Sequence, residues 1–536
     1  MRFPMPCTPF DLPRRAPFAR FRHRRASATC LALAATALPA FAGPPATFVD
    51  RSSGLPVEHV YSGGWEHFVG GGVAVLDCNG DARPDLFAAG GESPARLFVN
   101  RTGAPGDALA FDTADLAPLT GVTGAYPLDI DSDGALDLAV LRVGPNVLLK
   151  GDGACGFSDA TAEWGLAPGD DWTTAFSATW EAGATLPTLT FGNYVDRDDP
   201  EGPFEACDEN ALVRPRVDGT GYGAPAPIAP GWCALSMLIS DWQRTGTPEL
   251  RISNDRHYYV RGGYEEMWRL DPLGPRTPED GWERVSLWGM GIASADVDGN
   301  GYPDVMLTSM GDQLLQFSDG AHYEAAPFSL GTYAQRPHTG DDGRPSTGWH
   351  AAFGDVDNDA RLDLFIAKGN VDQMPSNAMH DPNSLLMQQP DGTFKERSVE
   401  AGVATSDRSR GAALTDLDGD GRLDLVVVNR RAPMEVWQNA TEDTGTWLAV
   451  DLRQPAPNTR AVGAWIELRH GDTVTAREVT VGGGHAGGIA GPEHFGLGTA
   501  TEAKIRVRWP GRGWSDWRPV ELNTRITVER EGAPGH

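Results

Sequence analysis

Asp416-Leu417-Asp418-Gly419-Asp420-Gly421-Arg422-Leu423-Asp424 places carboxylates at its first, third, fifth and ninth positions, with glycine at the fourth and sixth. A hard cation such as Ca²⁺ takes six to eight oxygen ligands at about 2.3–2.6 Å. Short Asp side chains at alternate positions of a tight loop can turn inward together and begin such a shell. The spacing recurs at Asp77, Asn79, Asp81 and Asp85, and at Asp129, Asp131, Asp133 and Asp137. It recurs again at Asp296, Asp298, Asn300 and Asp304, and at Asp355, Asp357, Asp359 and Asp363. The seventh loop residue (Arg83, Ala135, Tyr302, Arg361 or Arg422) is expected to add a backbone carbonyl, with water completing the shell. The five loops hold 18 Asp side chains, which would repel one another without a cation. Calcium at about five sites is therefore expected, stabilising the fold by binding the native state. Mg²⁺ dehydrates reluctantly and suits such a cage less well.

An EF-hand needs a Glu at loop position twelve and a helix on each side. Position twelve here is Ala88, Val140, Leu307, Ile366 or Val427, all apolar and inside expected strands. Each loop therefore joins two strands. Its ninth-position Asp starts the second one.

The loop starts are Asp77, Asp129, a decayed copy near Trp180, a partly decayed copy at Asp241, then Asp296, Asp355 and Asp416. The steps between them run from 51 to 61 residues. Each unit has the same order: a run of small and apolar residues, the acidic loop, an apolar strand, a third strand, and a fourth that begins with an aromatic residue, as at Phe111, Phe157, Trp282 and Phe394. Four short strands per unit read as a propeller blade, an arrangement that leaves only short sheet edges. The fold expected is all-β, a seven-bladed β-propeller over residues 43–445 followed by a small β domain over 446–536. Ala46-Thr47-Phe48-Val49-Asp50 looks like a fourth strand without its first three, and is expected to complete the last blade.

The third unit, around Ala178 to Leu189, keeps its outline but has no ligand set. The fourth, Asp241 to Glu249, keeps some oxygens. Between them Asp196 to Pro230 reads as a long insertion rich in Pro, Gly and acids, the first place to look for a partner surface. After about Gly445 the repeat stops. Alternating segments such as Trp447–Leu452, Ala464–Leu468, Lys504–Trp509 and Arg525–Val528 follow, with Gly482-Gly483-Gly484 among their turns.

The acidic loops resemble the FG-GAP/VCBS repeats of integrin α-subunit propellers. The tail resembles the ASPIC/UnbV domain through Asn458–Ala464, Arg477–Gly484, His494–Gly498 and Val507–Gly511. Repeat and tail in this order resemble the cartilage acidic protein family. That resemblance implies an exported, calcium-binding propeller of adhesion or extracellular-matrix type.

The 536 residues include 65 Gly, 41 Pro and 16 Trp, a mix suited to many short strands and turns. Arg14, Arg15, Arg20, Arg22, Arg24 and Arg25 precede an apolar run that ends in Ala40-Phe41-Ala42. This reads as a signal peptide over residues 1–42, hence a secreted, periplasmic or extracellular location. No later stretch could cross a bilayer. Residues 1–42 carry seven Arg against one Asp, so their removal takes the net charge from −28 to −34. Such acidity excludes nucleic acid as a partner, since a phosphate backbone would be repelled. Cys78, Cys155, Cys207 and Cys233 then remain, and four cysteines allow three pairings. Cys207–Cys233 is preferred because both lie near one insertion, which leaves Cys78–Cys155.

No nucleophile elbow, P-loop, zincin or dinucleotide motif is present. His485 and His494 read as a turn residue and a strand-packing residue. His257-Tyr258-Tyr259 and Trp349-His350 read as packing between blades, with a channel lining as the other reading. The expected function is a monomeric, non-catalytic module that binds an extracellular protein or glycan. The alternative is a calcium-dependent, lyase-like polysaccharide enzyme, which would need a Lys, Arg, Tyr or His cluster around a central calcium.

Overall fold

The computed structural model of the chain describes residues 45–167, 169–199, 206–255, 262–333 and 344–531. The expected leader and His257-Tyr258-Tyr259 lie outside these residues.

Among the described residues seven sheets, each built on four antiparallel strands in radial order, follow one another along the chain. Their inner strands are Val73–Leu76, Val122–Leu128, Thr173–Thr179, Ala234–Ser240, Gly289–Ala295, Gly348–Gly354 and Ser409–Thr415. Each inner strand packs beside the next, and the last beside the first, so the blades form a closed ring. The inner strands are almost wholly buried because both of their faces are covered. In the first blade Val73 pairs with Ala88 and Leu76 with Asp85, all four buried. Phe48–Asp50 pairs antiparallel with Glu435–Asn439, Phe48 opposite Asn439. A segment near the chain's start thus supplies the outer strand of the last blade.

Two expectations are corrected. The stretch from Asp196 to Pro230 is not a structureless insertion. Asn210–Val213 and Ala226–Ile228 are the third and fourth strands of blade three. Pro227 hides the second of these in the sequence, yet an outermost strand tolerates a missing N–H. The true excursion is the connection from Asn193 to Asn210. In blade four the outer strand is Gly274–Pro275 rather than the segment beginning at Trp282. Trp282 instead packs with Trp242 and Met267 and donates its Nε1–H to the Glu265 carbonyl.

The chain leaves the ring after Asn439 and enters a β domain at Thr446. One sheet orders Glu493–Gly498, Thr446–Arg453 and Thr524–Glu529, and the other Thr473–Glu478, Trp465–His470, Ala503–Arg508 and Arg518–Val520. Leu448, Val450, Ile466, Leu468, Phe495, Ile505 and Val507 form the core of this domain. Among the described residues no helix is long and apolar enough to cross a membrane.

Every acidic loop joins the inner strand of its blade to the second strand, so all of these loops emerge on one face of the ring. The connections from second to third strand, and the crossings from blade to blade, emerge on the opposite face.

Candidate metal centre

In each of the five loops the ninth-position Asp is the first residue of the second strand. One oxygen of Asp85, Asp137, Asp304, Asp363 and Asp424 accepts the N–H of the loop's second residue at 2.7–3.0 Å. The other accepts an N–H from the end of the third strand at 2.8–2.9 Å. These side chains therefore clamp loop to blade, as well as standing at a ligand position. Sequence spacing does not show that second role.

The first-position Asp77, Asp129, Asp296, Asp355 and Asp416 each accept the N–H of loop position six at 2.7–3.0 Å. Oxygens of Asp81, Asp133, Asn300, Asp359 and Asp420 accept the N–H of position seven at 2.8–2.9 Å. These bonds curl the loop and turn its acids inward. Carboxylate oxygens of Asp129, Asp131 and Asp137 lie within 4.8 Å of one another, as do those of Asp296, Asp298 and Asp304, of Asp355, Asp357 and Asp359, and of Asp416, Asp418 and Asp424. The first loop gathers no such trio among the described residues. Asp85 there groups with Cys78 and Cys155, whose sulfurs are bonded to each other and are not ligands.

The residues fit a cation. Asp129 Oδ1 and Asp296 Oδ1 are buried without a hydrogen-bond partner. Burial, reinforced by neighbouring carboxylates, pushes Asp137, Asp304 and Asp416 up to about 7. It pushes Asp363 and Asp424 well above the usual carboxylate range. A divalent ion bound by oxygens would offset that cost. Some compensation comes from the chain itself. The position-seven side chains of Arg361 and Arg422 reach back to Asp359 and Asp420, and Lys150 lies on Asp131 and 3.1 Å from Asp133.

In the decayed loops arginine supplies the positive charge. Arg508 of the C-terminal domain donates to Asp241 at 2.5 Å, and Arg276 to Glu249 at 2.8 Å, in blade four. In blade three Arg214 meets Glu181 at 2.7 Å.

The C-terminal domain sits on this acidic face. Gly445 N–H donates to the Asp357 carbonyl at 3.1 Å and Gly498 N–H to the Asn358 carbonyl at 2.8 Å. Arg525 donates to the Ala82 carbonyl at 2.7 Å, and His494 Nε2 lies 3.0 Å from the Gly421 carbonyl. Thr459 bonds Asp129 through its hydroxyl. His494, expected as a packing residue, therefore stands between the domains. Burial pushes its imidazole down to about 4.

From that domain Val481–Ala490 enters the centre of the ring. Val481 bridges Ala178, Gly482 bridges Leu238, Gly484 bridges Ile292, Gly487 bridges Ala125, and Ile489-Ala490 adds a parallel strand beside Val75-Leu76. The inner strands of five blades thus hydrogen-bond to one segment. His485, expected as a turn residue, is fully buried there. Its N–H donates to His350 Nδ1 at 3.0 Å and its ring lies 5.1 Å from that of Trp349. Trp349 and His350 do line the channel, and the glycine-rich segment fills it. A β-carbon on Gly487 would lie 2.2 Å from the Val73 carbonyl oxygen, so only glycine passes. Burial pushes His350 and His485 down to about 4 and about 3, so both imidazoles are neutral near pH 7. Sequence reading missed this because the run Gly482 to Gly488 has the composition of an ordinary turn.

On the opposite face the crossing into blade one brings Trp65 and Phe68 against Trp172 and Tyr194. Trp65 is 39% exposed at the rim of this aromatic group. A disulfide joins Cys207, in the blade-three excursion, to Cys233, at the start of blade four.

Residues 454–535 match the family described as ASPIC and UnbV, and residues 77–140 and 372–427 match the FG-GAP-like repeat. Over 164 residues the chain is 27% identical to cartilage acidic protein 1 of Mus musculus and of Homo sapiens, covering 29% of this chain and 24% of each relative. The chain thus aligns with about a quarter of the length of those curated relatives. Similar solved structures include BBS1N in complex with ARL6DN, with a TM-score of 0.43 at 10% identity over 75% of this chain and 99% of that one. The BP39L lectin from Burkholderia pseudomallei aligns with a TM-score of 0.40 at 10% identity over 84% and 99%.

Proposed function

We propose that this member of the cartilage acidic protein-like family, with its FG-GAP-like repeats and C-terminal ASPIC and UnbV domain, is an exported, calcium-stiffened binding module. The observation that carries this reading is the division of labour between the two faces of the ring. The acidic loops lie under the C-terminal domain and the channel is filled by Val481–Ala490. A partner is therefore left the face opposite the acidic loops, where Trp65 stands exposed beside Phe68 and Trp172. A partly exposed aromatic residue next to the Glu66–Arg197 ion pair suits either a protein surface or a sugar ring. Calcium acts at a distance from the partner. It fixes the blades whose crossings build that face.

The lyase-like alternative needs a catalytic cluster at the axis. The axial histidines are buried and neutral, and their partners are backbone and one another. This supports the binding reading. The test is an array of extracellular proteins and glycans probed with the full chain, with and without calcium. A ligand bound by the native chain and lost in Trp65→Ala supports the proposal. Turnover of a polysaccharide in the same assay, with no ligand retained, overturns it.

A further inference from the structure

We propose that the blade-two cation site is completed across the domain boundary. The Thr459 hydroxyl of the C-terminal domain serves as one of its oxygens, so that filling the site fastens that domain to the propeller. The inference rests on the calcium reading above.

Asp129 is 1% exposed, and its Oδ1 is buried without a partner beside the gathered oxygens of Asp131 and Asp137. Its other oxygen takes the Gly134 N–H at 3.0 Å and the Thr459 hydroxyl. Lys150 engages one oxygen of Asp131 and one of Asp133, which leaves this loop fewer free carboxylate oxygens for a cation. Calcium asks for six to eight oxygens, so an outside oxygen has a place here. A hydroxyl that donates to Asp129 keeps lone pairs for a cation.

The Thr459 position is held rather than incidental. Asn458, at a φ of 63°, closes a tight turn through Val462 by bonds of 2.8 and 2.9 Å, and its N–H donates to Ser132 Oγ at 3.1 Å. At the Asp355 loop the same domain offers backbone N–H groups, and in blade four a guanidinium, neither of which can ligate a cation. At blade two it offers an oxygen.

The test is hydrogen exchange read by mass spectrometry on the full chain, titrated with calcium after chelation. The variants are Thr459→Val and Thr459→Ser. Calcium should slow exchange in residues 129–137 and 454–463 together. In Thr459→Val the protection of 454–463 should be lost, and the calcium needed to protect 129–137 should rise about tenfold. Thr459→Ser, which keeps the hydroxyl, should behave as the native chain. Protection of 129–137 at an unchanged calcium concentration in Thr459→Val overturns this inference alone. Absence of calcium protection at every acidic loop overturns the calcium reading and this inference with it.

Discussion

Arg508, on a strand of the C-terminal domain, sets its guanidinium 2.5 Å from Asp241, the first acid of the blade-four loop. The loop that keeps only part of its ligand set thus receives its positive charge from the chain. The same arginine donates to the Arg244 carbonyl at 2.7 Å, so the contact also ties the two domains. Removing one partner of a pair this shielded leaves the other charge buried and uncompensated. Arg508→Ala is expected to cost about 3 kcal/mol. The loss should be equal in calcium and in chelator. A loss seen only in one of the two conditions would show that a metal, not Arg508, balances Asp241.

The intact acidic loops should behave oppositely. Chelation is expected to lower the melting temperature, and calcium to restore it. A site held at a hundred times its Kd contributes about 2.7 kcal/mol. The clamp role of the ninth position gives a second, distinguishable effect. Asp424 accepts N–H groups from Leu417 and Asn439 at 2.8 Å each. Asp424→Asn replaces one acceptor by a donor and should cost about 1–3 kcal/mol even in chelator. A melting temperature indifferent to chelator, or an Asp424→Asn variant as stable as the native chain in chelator, would refute the respective part.

The axial segment predicts a steric effect. A β-carbon at Gly487 meets the Val73 carbonyl oxygen, an atom fixed in the inner strand of blade one. Gly487→Ala is expected to destabilise by about 1–3 kcal/mol, the usual range for overpacking. Denaturant titration measures it. An unchanged midpoint would mean that the segment can withdraw from the channel without cost.

Asp255 predicts a pH dependence. Tyr194 donates its hydroxyl to this carboxylate at 2.5 Å, and burial pushes the group up to about 7. Its folded pKa therefore lies above the unfolded one. The stabilisation is fully present below roughly pH 4 and is lost as pH rises through about 7, at about 1.4 kcal/mol per pH unit within that window. Asp255→Asn, which cannot charge, should lose less stability than the native chain between pH 5 and pH 8. Equal losses on denaturation at the two pH values would contradict this.

The blades were legible because a repeat announces itself. Short apolar strands spaced by acid loops of one ligand spacing, as at Leu76 to Leu86 or Thr415 to Leu425, leave few other folds. The lone strand Phe48–Asp50 could be assigned to the last blade because a ring needs its missing member. Misreadings fell where local signals conflict with tertiary placement. Pro227 reads as a break yet lies in an outer strand, and Trp282 reads as the start of a strand yet fills a gap between blades.

By itself the sequence determined what depends on period: an all-β repeat of short strands joined by acidic loops. Those are local properties, set by alternation and by short loops. Only the tertiary structure decided what the acid face meets and what fills the channel. Thr459 lies 330 residues from Asp129, and Gly487 bridges Ala125 across a similar span. No local pattern encodes such contacts. They arise because the acidic face and the axial opening needed covering, and the C-terminal domain carries a hydroxyl, an arginine and a side-chain-free strand where those needs lie.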